Sequence, residues 1–140
     1  MKKTMLMALI ISAATVACGQ KISADKVPVA VKAAFAKQYP GVSAKWEMED
    51  GKYEAGFKNK AVTTSVLYSS GGTMTESEVD VKIADLPKAV TDYVKAHYKG
   101  KIKEGAKITT ATGAVTYEAE VDGKDIIFDE TGKFIKEVKE

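Results

Sequence analysis

The sequence predicts an α+β fold built from two tandem α-β-β-β-β units, with antiparallel sheet and with the helices packed on one sheet face. The first observation is an internal repeat whose matches follow the same order in both halves. The matching segments are Val27–Gly41 with Leu86–Gly100, Tyr53–Ala55 with Tyr117–Ala119, and Tyr68–Gly72 with Phe128–Gly132. The second observation is that each half opens with helical periodicity and continues with alternating segments separated by glycine turns.

Each unit begins with an amphipathic helix. The apolar stripes are Val27, Val31, Ala34 and Phe35 in the first unit and Leu86, Val90, Tyr93 and Val94 in the second. Asp25 and Asp85 are the predicted N-caps, and Pro28 and Pro87 fall in the first turn, where a missing N–H costs little. The first helix is expected to end near Tyr39, because a Pro-Gly pair follows it.

Four strands follow each helix. The predicted strands are Ala44–Glu49, Lys52–Lys58, Ala61–Tyr68 and Thr73–Val81, then Ile102–Thr109, Ala114–Val121, Lys124–Phe128 and Lys133–Val138. Asp50-Gly51 and Asp122-Gly123 supply the positive φ angles of tight hairpins. The alternation is clearest from Val115 to Val121, where apolar and polar residues take opposite faces. Gly105 is expected to interrupt its strand.

Composition excludes two classes of protein. The 140 residues include 21 basic residues, all Lys, against 19 acidic residues. Removal of Lys2 and Lys3 with a leader makes the two numbers equal, which excludes a strongly basic nucleic-acid binder. One Cys excludes a scaffold held by several disulfides.

The amino terminus is predicted to be an export signal. Residues 1–17 combine a short positive segment with an apolar stretch too short to span a membrane, and residues 18–24 read as a polar tether before units 25–82 and 83–140. A small residue directly before Cys18 resembles a bacterial lipobox, so we expect cleavage before Cys18 and lipid attachment to it. The alternative is ordinary signal-peptidase cleavage between Ala13 and Ala17. Either way the protein is exported, to the periplasm or the outer membrane.

The leading helix, the Tyr-Glu-Ala strand and the glycine hairpin together resemble the PepSY-like family of secreted tandem-repeat proteins with a β-lactamase-inhibitor-like fold. The resemblance covers Ala24 to Glu140. It implies sheets side by side in a curved eight-stranded surface with the helices behind. It also implies protein binding at the cell envelope, with a secreted enzyme such as a hydrolase among the candidate partners. The β-lactamase inhibitor carries disulfides that this chain cannot form, so its target is not carried over.

No catalytic or metal-binding motif accompanies this fold. His97 stands alone on the second helix, and a zinc site needs several nitrogen or sulfur ligands. The carboxylate pairs Glu47/Glu49 and Glu118/Glu120 are each expected to share a solvent face and to alternate with apolar residues, as on any half-buried strand. The acidic turns between Asp122 and Asp129 lack a calcium-loop pattern. We therefore expect no enzymatic activity, no cofactor and no metal.

Binding is expected on the polar strand face and at the hairpin tips. Trp46 and Tyr53 flank the Asp50-Gly51 turn, where aromatic side chains can form a binding hot spot, although core packing is the competing interpretation. The candidate protein-binding residues are Trp46, Glu47, Asp50, Tyr53 and Glu118. The leading hypothesis is a non-enzymatic protein-binding or inhibitor-like module that meets the membrane only through its lipid. The alternative is a periplasmic carrier of a small ligand or peptide.

Overall fold

The computed structural model describes residues 19–139, so the predicted export signal, Cys18 and Glu140 lie outside the described residues. Two helices are present in that range, α1 (Val29–Gln38) and α2 (Lys88–His97). The strands are β1 (Gln20–Ile22), β2 (Lys45–Glu49), β3 (Lys52–Asn59), β4 (Val62–Tyr68), β5 (Met74–Val81), β6 (Glu104–Thr110), β7 (Val115–Val121), β8 (Lys124–Asp129) and β9 (Phe134–Lys139). After β1, one helix and four strands follow each other, and the same order then recurs.

All nine strands form one open antiparallel sheet in which the spatial order equals the sequence order. Every strand therefore pairs with its neighbours in the chain, as in a meander. The ninth strand was not expected. Gln20–Ile22, in the segment predicted to be a tether, pairs with β2 through Ile22 and Trp46.

The starts of both helices differ from the prediction. Asp25 and Asp85 lie in 3₁₀ turns and cap neither helix. Pro28 and Pro87 occupy the N-cap positions with extended backbone, at ψ 143° and 137°. The helices therefore begin one residue after each proline, because the preceding turn first inserts an apolar side chain into the core.

The apolar side chains form two core clusters, one under each helix. The first contains Val27, Val31, Phe35, Trp46, Ala55, Phe57, Val66 and Tyr68. The second contains Leu86, Val90, Val94, Ala119, Val121, Ile126 and Phe128. Partly buried Tyr117 and Phe134 pack against the second cluster, which confirms the prediction that these rings and Phe128 fill the layer between helix and sheet.

Strand register shows that both helices cover the same sheet face. Val66 on β4 pairs with Ser77 on β5, and Ser77 pairs with Thr109 on β6. Because directly paired residues share a face, that row belongs to the face under α1. Four residues further along β6, and therefore on the same face, Gly105 pairs with Ala119, which lies in the cluster under α2. We call this side the helix face.

Gly105 does not interrupt β6, contrary to expectation. It lies within the strand and pairs with Val81 and Ala119. A Cβ at this position would come within 3.0 Å of Leu86 Cδ1. The missing side chain therefore leaves room for Leu86 to pack beneath α2.

Two hairpins contact the helices at glycine. A Cβ at Gly72, between β4 and β5, would lie 2.5 Å from the carbonyl oxygen of Ala30 on α1. A Cβ at Gly132, between β8 and β9, would lie 2.8 Å from Ala89 Cβ on α2. Both glycines have positive φ, at 84° and 88°. The two hairpins thus approach their helices in corresponding ways.

Candidate functional site: an acidic sheet face

The sheet face opposite the helices carries most of its charge as carboxylates. Register and alternation place these side chains together across β3, β5, β6, β7 and β8. We define the acidic strip as Glu54, Glu76, Glu78, Asp80, Glu104, Glu118, Glu120 and Asp125. Within residues 19–139, no lysine lies on this face of the strands from β4 to β8. Lysines approach from the flanks, at Lys52, Lys103 and Lys136.

Like charges face one another directly in the ladder. Glu120 on β7 pairs on one side with Glu104 on β6 and on the other side with Asp125 on β8. Directly opposed like charges destabilise a sheet, so this row costs free energy of folding. Lys103 Nζ lies 3.7 Å from Glu120 Oε1, and this ion pair is partly exposed.

The floor of the strip is apolar and buried although both helices lie on the other side. Ala106, Ile108 and Ile127 are at most 5% exposed, and all three point to the strip side. Side chains of neighbouring strands must therefore cover them. Between these side chains lies a small open cleft of about 50 Å³. The cleft is lined by Glu78, Asp80, Glu104, Gly105, Ala106, Glu118, Glu120 and Asp125.

Burial and mutual repulsion change the titration of the strip. Desolvation, with a smaller contribution from neighbouring carboxylates, raises the pKa of Glu76 and of Glu78 to about 7. Lys52 acts in the opposite direction on the pKa of Glu76. Desolvation also raises the pKa of Glu54, against a hydrogen bond from Ser65 that lowers it. The centre of the strip therefore holds carboxyl groups whose charge changes near neutral pH.

Two of the predicted binding residues, Trp46 and Tyr53, point away from the strip. Trp46 is 7% exposed and makes an edge-to-face contact with Phe35, with ring centroids 5.5 Å apart. Tyr53 packs partly buried against the same cluster. Core packing, the competing interpretation of these two residues, is confirmed for Trp46.

The remaining three, Glu47, Asp50 and Glu118, are not grouped either. Asp50 is exposed at the turn between β2 and β3, with φ 48°. Glu47 lies on the strip side of β2, next to Gly19. A Cβ added to Gly19 would come within 2.7 Å of Glu47 Oε2. Glu118 is only 7% exposed, so the expectation that it shares an open solvent face is wrong. It lies in the cleft among side chains of β5, β6 and β8.

His97 is exposed on α2 and makes only local contacts. Its ring stacks on Tyr93 with centroids 3.9 Å apart, and its Nδ1 lies 2.8 Å from the Tyr93 carbonyl oxygen. In the described range, no group of three or more His, Cys, Asp or Glu side chains is arranged to hold a metal ion. Nor does any helix between residues 19 and 139 have the length and apolar character needed to cross a bilayer.

The centre of the strip was not predicted from the sequence. Glu76, Glu78 and Asp80 alternate on β5 in the same way as the carboxylate pairs that were noticed on β2 and β7. The signal was this third alternating run, together with a meander order that brings β5 beside β6 and β7. β5 belongs to the first predicted unit and β6 to the second. Their pairing joins the three carboxylate runs into one surface.

Comparison with known families agrees with this architecture. The family described as putative beta-lactamase-inhibitor-like, PepSY-like matches residues 15–76 and, in a second and overlapping match, residues 51–136. The chain belongs to the PepSY-like family. The resemblance predicted from the helix, strand and hairpin pattern is thereby confirmed. No curated protein sequence matches this PepSY-like chain.

Solved structures share its fold at low sequence identity. A putative periplasmic protein from Bacteroides eggerthii superposes with a TM-score of 0.73 at 18% identity, over 79% of this chain and 87% of the other. A DUF2874 family protein from Bacteroides uniformis gives 0.70 at 21% identity, over 79% and 87%. A BLIP-like protein from Bacteroides fragilis gives 0.60 at 23% identity, over 77% and 82%. At these identities the likeness concerns the fold.

Proposed function

We propose that this protein is an exported, non-enzymatic module of the cell envelope that binds another protein on the sheet face opposite its helices. The observation that carries the proposal is that neither helix covers this face, so the open cleft and the exposed carboxylates of the acidic strip are accessible to a partner. The family description, beta-lactamase-inhibitor-like, and a BLIP-like neighbour in fold support a binding role. A neighbour described as periplasmic supports export.

The size of the cleft favours a protein over a small ligand. The cleft has a volume of about 50 Å³ and is open to solvent. Pockets that enclose a small molecule generally measure about 300–1,000 Å³. A protein partner can lie across the whole face without entering a pocket, so we favour protein binding over the carrier hypothesis.

We also propose that residues 25–82 and 83–140 are copies of one ancestral unit. The recurrence of one helix and four strands supports this, as do the two matches to the same family. The corresponding contacts of Gly72 with Ala30 and of Gly132 with Ala89 add structural support. Fusion of two such units would create the β5–β6 pairing, on which the acidic strip depends.

Lipid attachment at Cys18 is part of the proposal, and it has a geometric consequence. Only Gly19 separates Cys18 from β1, so a lipid on Cys18 would hold the β1 edge of the sheet close to the membrane. Mass spectrometry of the mature protein provides the test. We expect a diacylglyceryl mass on Cys18 that is absent from Cys18→Ser, and an unmodified amino terminus between residues 13 and 18 would contradict it.

The binding face can be tested with bulky neutral substitutions. Ser65→Tyr combined with Thr116→Tyr blocks the strip face, since both residues point to that side. Ser77→Tyr combined with Thr109→Tyr places the same substitutions on the helix face. Each soluble domain, starting at Gln20, would be used for affinity capture from an envelope extract of the source organism.

We expect one partner to be captured by the wild type and by the helix-face variant, and lost by the strip-face variant. Circular dichroism and melting would show that each variant is folded. Loss of capture by the helix-face variant alone would move the binding site to the other side. No partner for a well-folded wild type would contradict the protein-binding function.

A further inference from the structure

The charge of this chain is nearly balanced in number but segregated in space. The full sequence has 21 basic and 19 acidic residues. Exposed or partly exposed lysines lie on the outside of the helices, at Lys32, Lys37, Lys88 and Lys95. The strip side of β4 to β8 carries carboxylates and no lysine within the described range. An uncovered sheet face of one charge sign therefore exists on a molecule whose overall charge is small.

This arrangement costs stability in the isolated protein. Glu104 and Glu120 are paired directly, and burial places Glu76 and Glu78 where their charged forms are disfavoured. Sequences usually avoid such local conflicts except where function uses them. Cations placed over the strip from outside would relieve both the repulsion and the unfavourable ionisation.

We propose that the partner docks a basic segment, rich in Lys or Arg, across the acidic strip. The inference rests on the proposed protein-binding function and specifies the chemistry of its partner. Charge complementarity comes from Glu76, Glu78, Asp80, Glu104 and Glu120, of which Asp80 and Glu104 are exposed. The exposed carboxylates Asp80 and Glu104 lie at the open side of the cleft, where the charged ends of long basic side chains can reach them.

The dimensions of the strip determine the length of the segment. From β3 to β8 the strip crosses five spacings between strands, about 24 Å at about 4.8 Å each. An extended chain advances about 3.3 Å per residue, so about eight residues cross the strip. A segment of this length can place alternate side chains onto the sheet face.

Binding to the strip should release protons near neutral pH. Glu76 is faced by Glu49, Lys52 and Glu54, and Glu78 by Glu54, Glu76, Asp80 and Asp125. A cation above them favours the ionised forms and lowers both pKa values. The released protons are taken up by the buffer, so calorimetric titrations of binding in two buffers of different ionisation enthalpy would give different binding heats. Binding elsewhere on the surface would not give this difference.

The probe is a synthetic eight-residue peptide of alternating Lys and Ala, with a Ser/Ala peptide as the neutral reference. The test variant is Asp80→Asn with Glu104→Gln. The matched control is Asp85→Asn with Glu130→Gln, which makes the same change in net charge at exposed residues outside the strip. Kd would be measured by calorimetry at low salt for the soluble domain from Gln20.

We expect the Lys/Ala peptide to bind the wild type and the control variant within twofold, and the strip variant at least tenfold more weakly. Failure of the Lys/Ala peptide to bind, or equal weakening in both variants, would overturn the basic-segment proposal. Capture of an envelope protein by the wild type, lost on Ser65→Tyr with Thr116→Tyr, would then still support the binding function. An empty capture would overturn the function itself.

Discussion

At the scale of single residues, Glu76 and Glu78 link the acidic strip to pH. Their pKa values rise from the ordinary 4.5 to about 7 in the folded protein, chiefly through desolvation. Between these values the folded state binds more protons than the unfolded state, so stability falls as pH rises through this window. The loss is complete above about pH 7. We expect Tm to be a few degrees higher at about pH 5 than at about pH 8.

Amide substitutions separate this effect from general acid effects. Glu76→Gln with Glu78→Gln removes the two titrations, so this variant should be more stable than the wild type at about pH 8 and show a flatter curve of Tm against pH. Glu130→Gln, at an exposed turn, should keep the wild-type curve. A double variant that retains the full pH dependence would show that the raised pKa values lie elsewhere.

Single residues also show where sequence patterns stop being informative. Alternation placed Glu118 on the polar side of its strand, and register confirms that side. Alternation does not determine exposure, and Glu118 is buried among the side chains of the neighbouring strands. For Trp46 the sequence left a binding hot spot and core packing as competing interpretations, and the structure shows core packing.

At the scale of elements, the eight strands that were predicted all form, with bounds close to those expected. Their glycine turns and alternation are local signals, and local signals fix hairpins. β1 was missed because three residues carry no periodicity, and it exists only through pairing with β2. The helix starts were misplaced because the 3₁₀ turn before each proline is stabilised by core contacts of Val27 and Leu86.

The hairpin between β4 and β5 gives a prediction at this scale. Gly72 combines a positive φ of 84° with close approach to the Ala30 carbonyl. Gly72→Ala therefore incurs both the left-handed backbone cost of about 1–2 kcal/mol and a steric clash with helix backbone. We expect a loss of about 2 kcal/mol or more in the free energy of unfolding, measured by urea denaturation.

Substitutions at two other glycines separate the cost of backbone strain from the cost of the steric clash. Gly51 has φ 75° but open space around its missing Cβ, so Gly51→Ala should lose about 1–2 kcal/mol from backbone strain alone. Gly71 has open space and no positive φ, so Gly71→Ala should change stability by less than about 0.5 kcal/mol. Equal losses at Gly72 and Gly51 would mean that the hairpin moves away from α1 at little cost.

At the scale of the whole molecule, the segregation of charge predicts how stability responds to salt. Raising ionic strength from about 0.01 M to about 0.1 M shortens the Debye length from about 30 Å to about 10 Å, which screens repulsion across the strip. Salt also weakens the exposed pairs Lys88–Asp92 and Lys124–Glu137, but pairs of this kind contribute little. We therefore expect Tm at about pH 8 to rise with salt. At about pH 5, where Glu76 and Glu78 are protonated, the rise of Tm with salt should be smaller. A Tm that falls with salt at both pH values would contradict a dominant repulsion on this face.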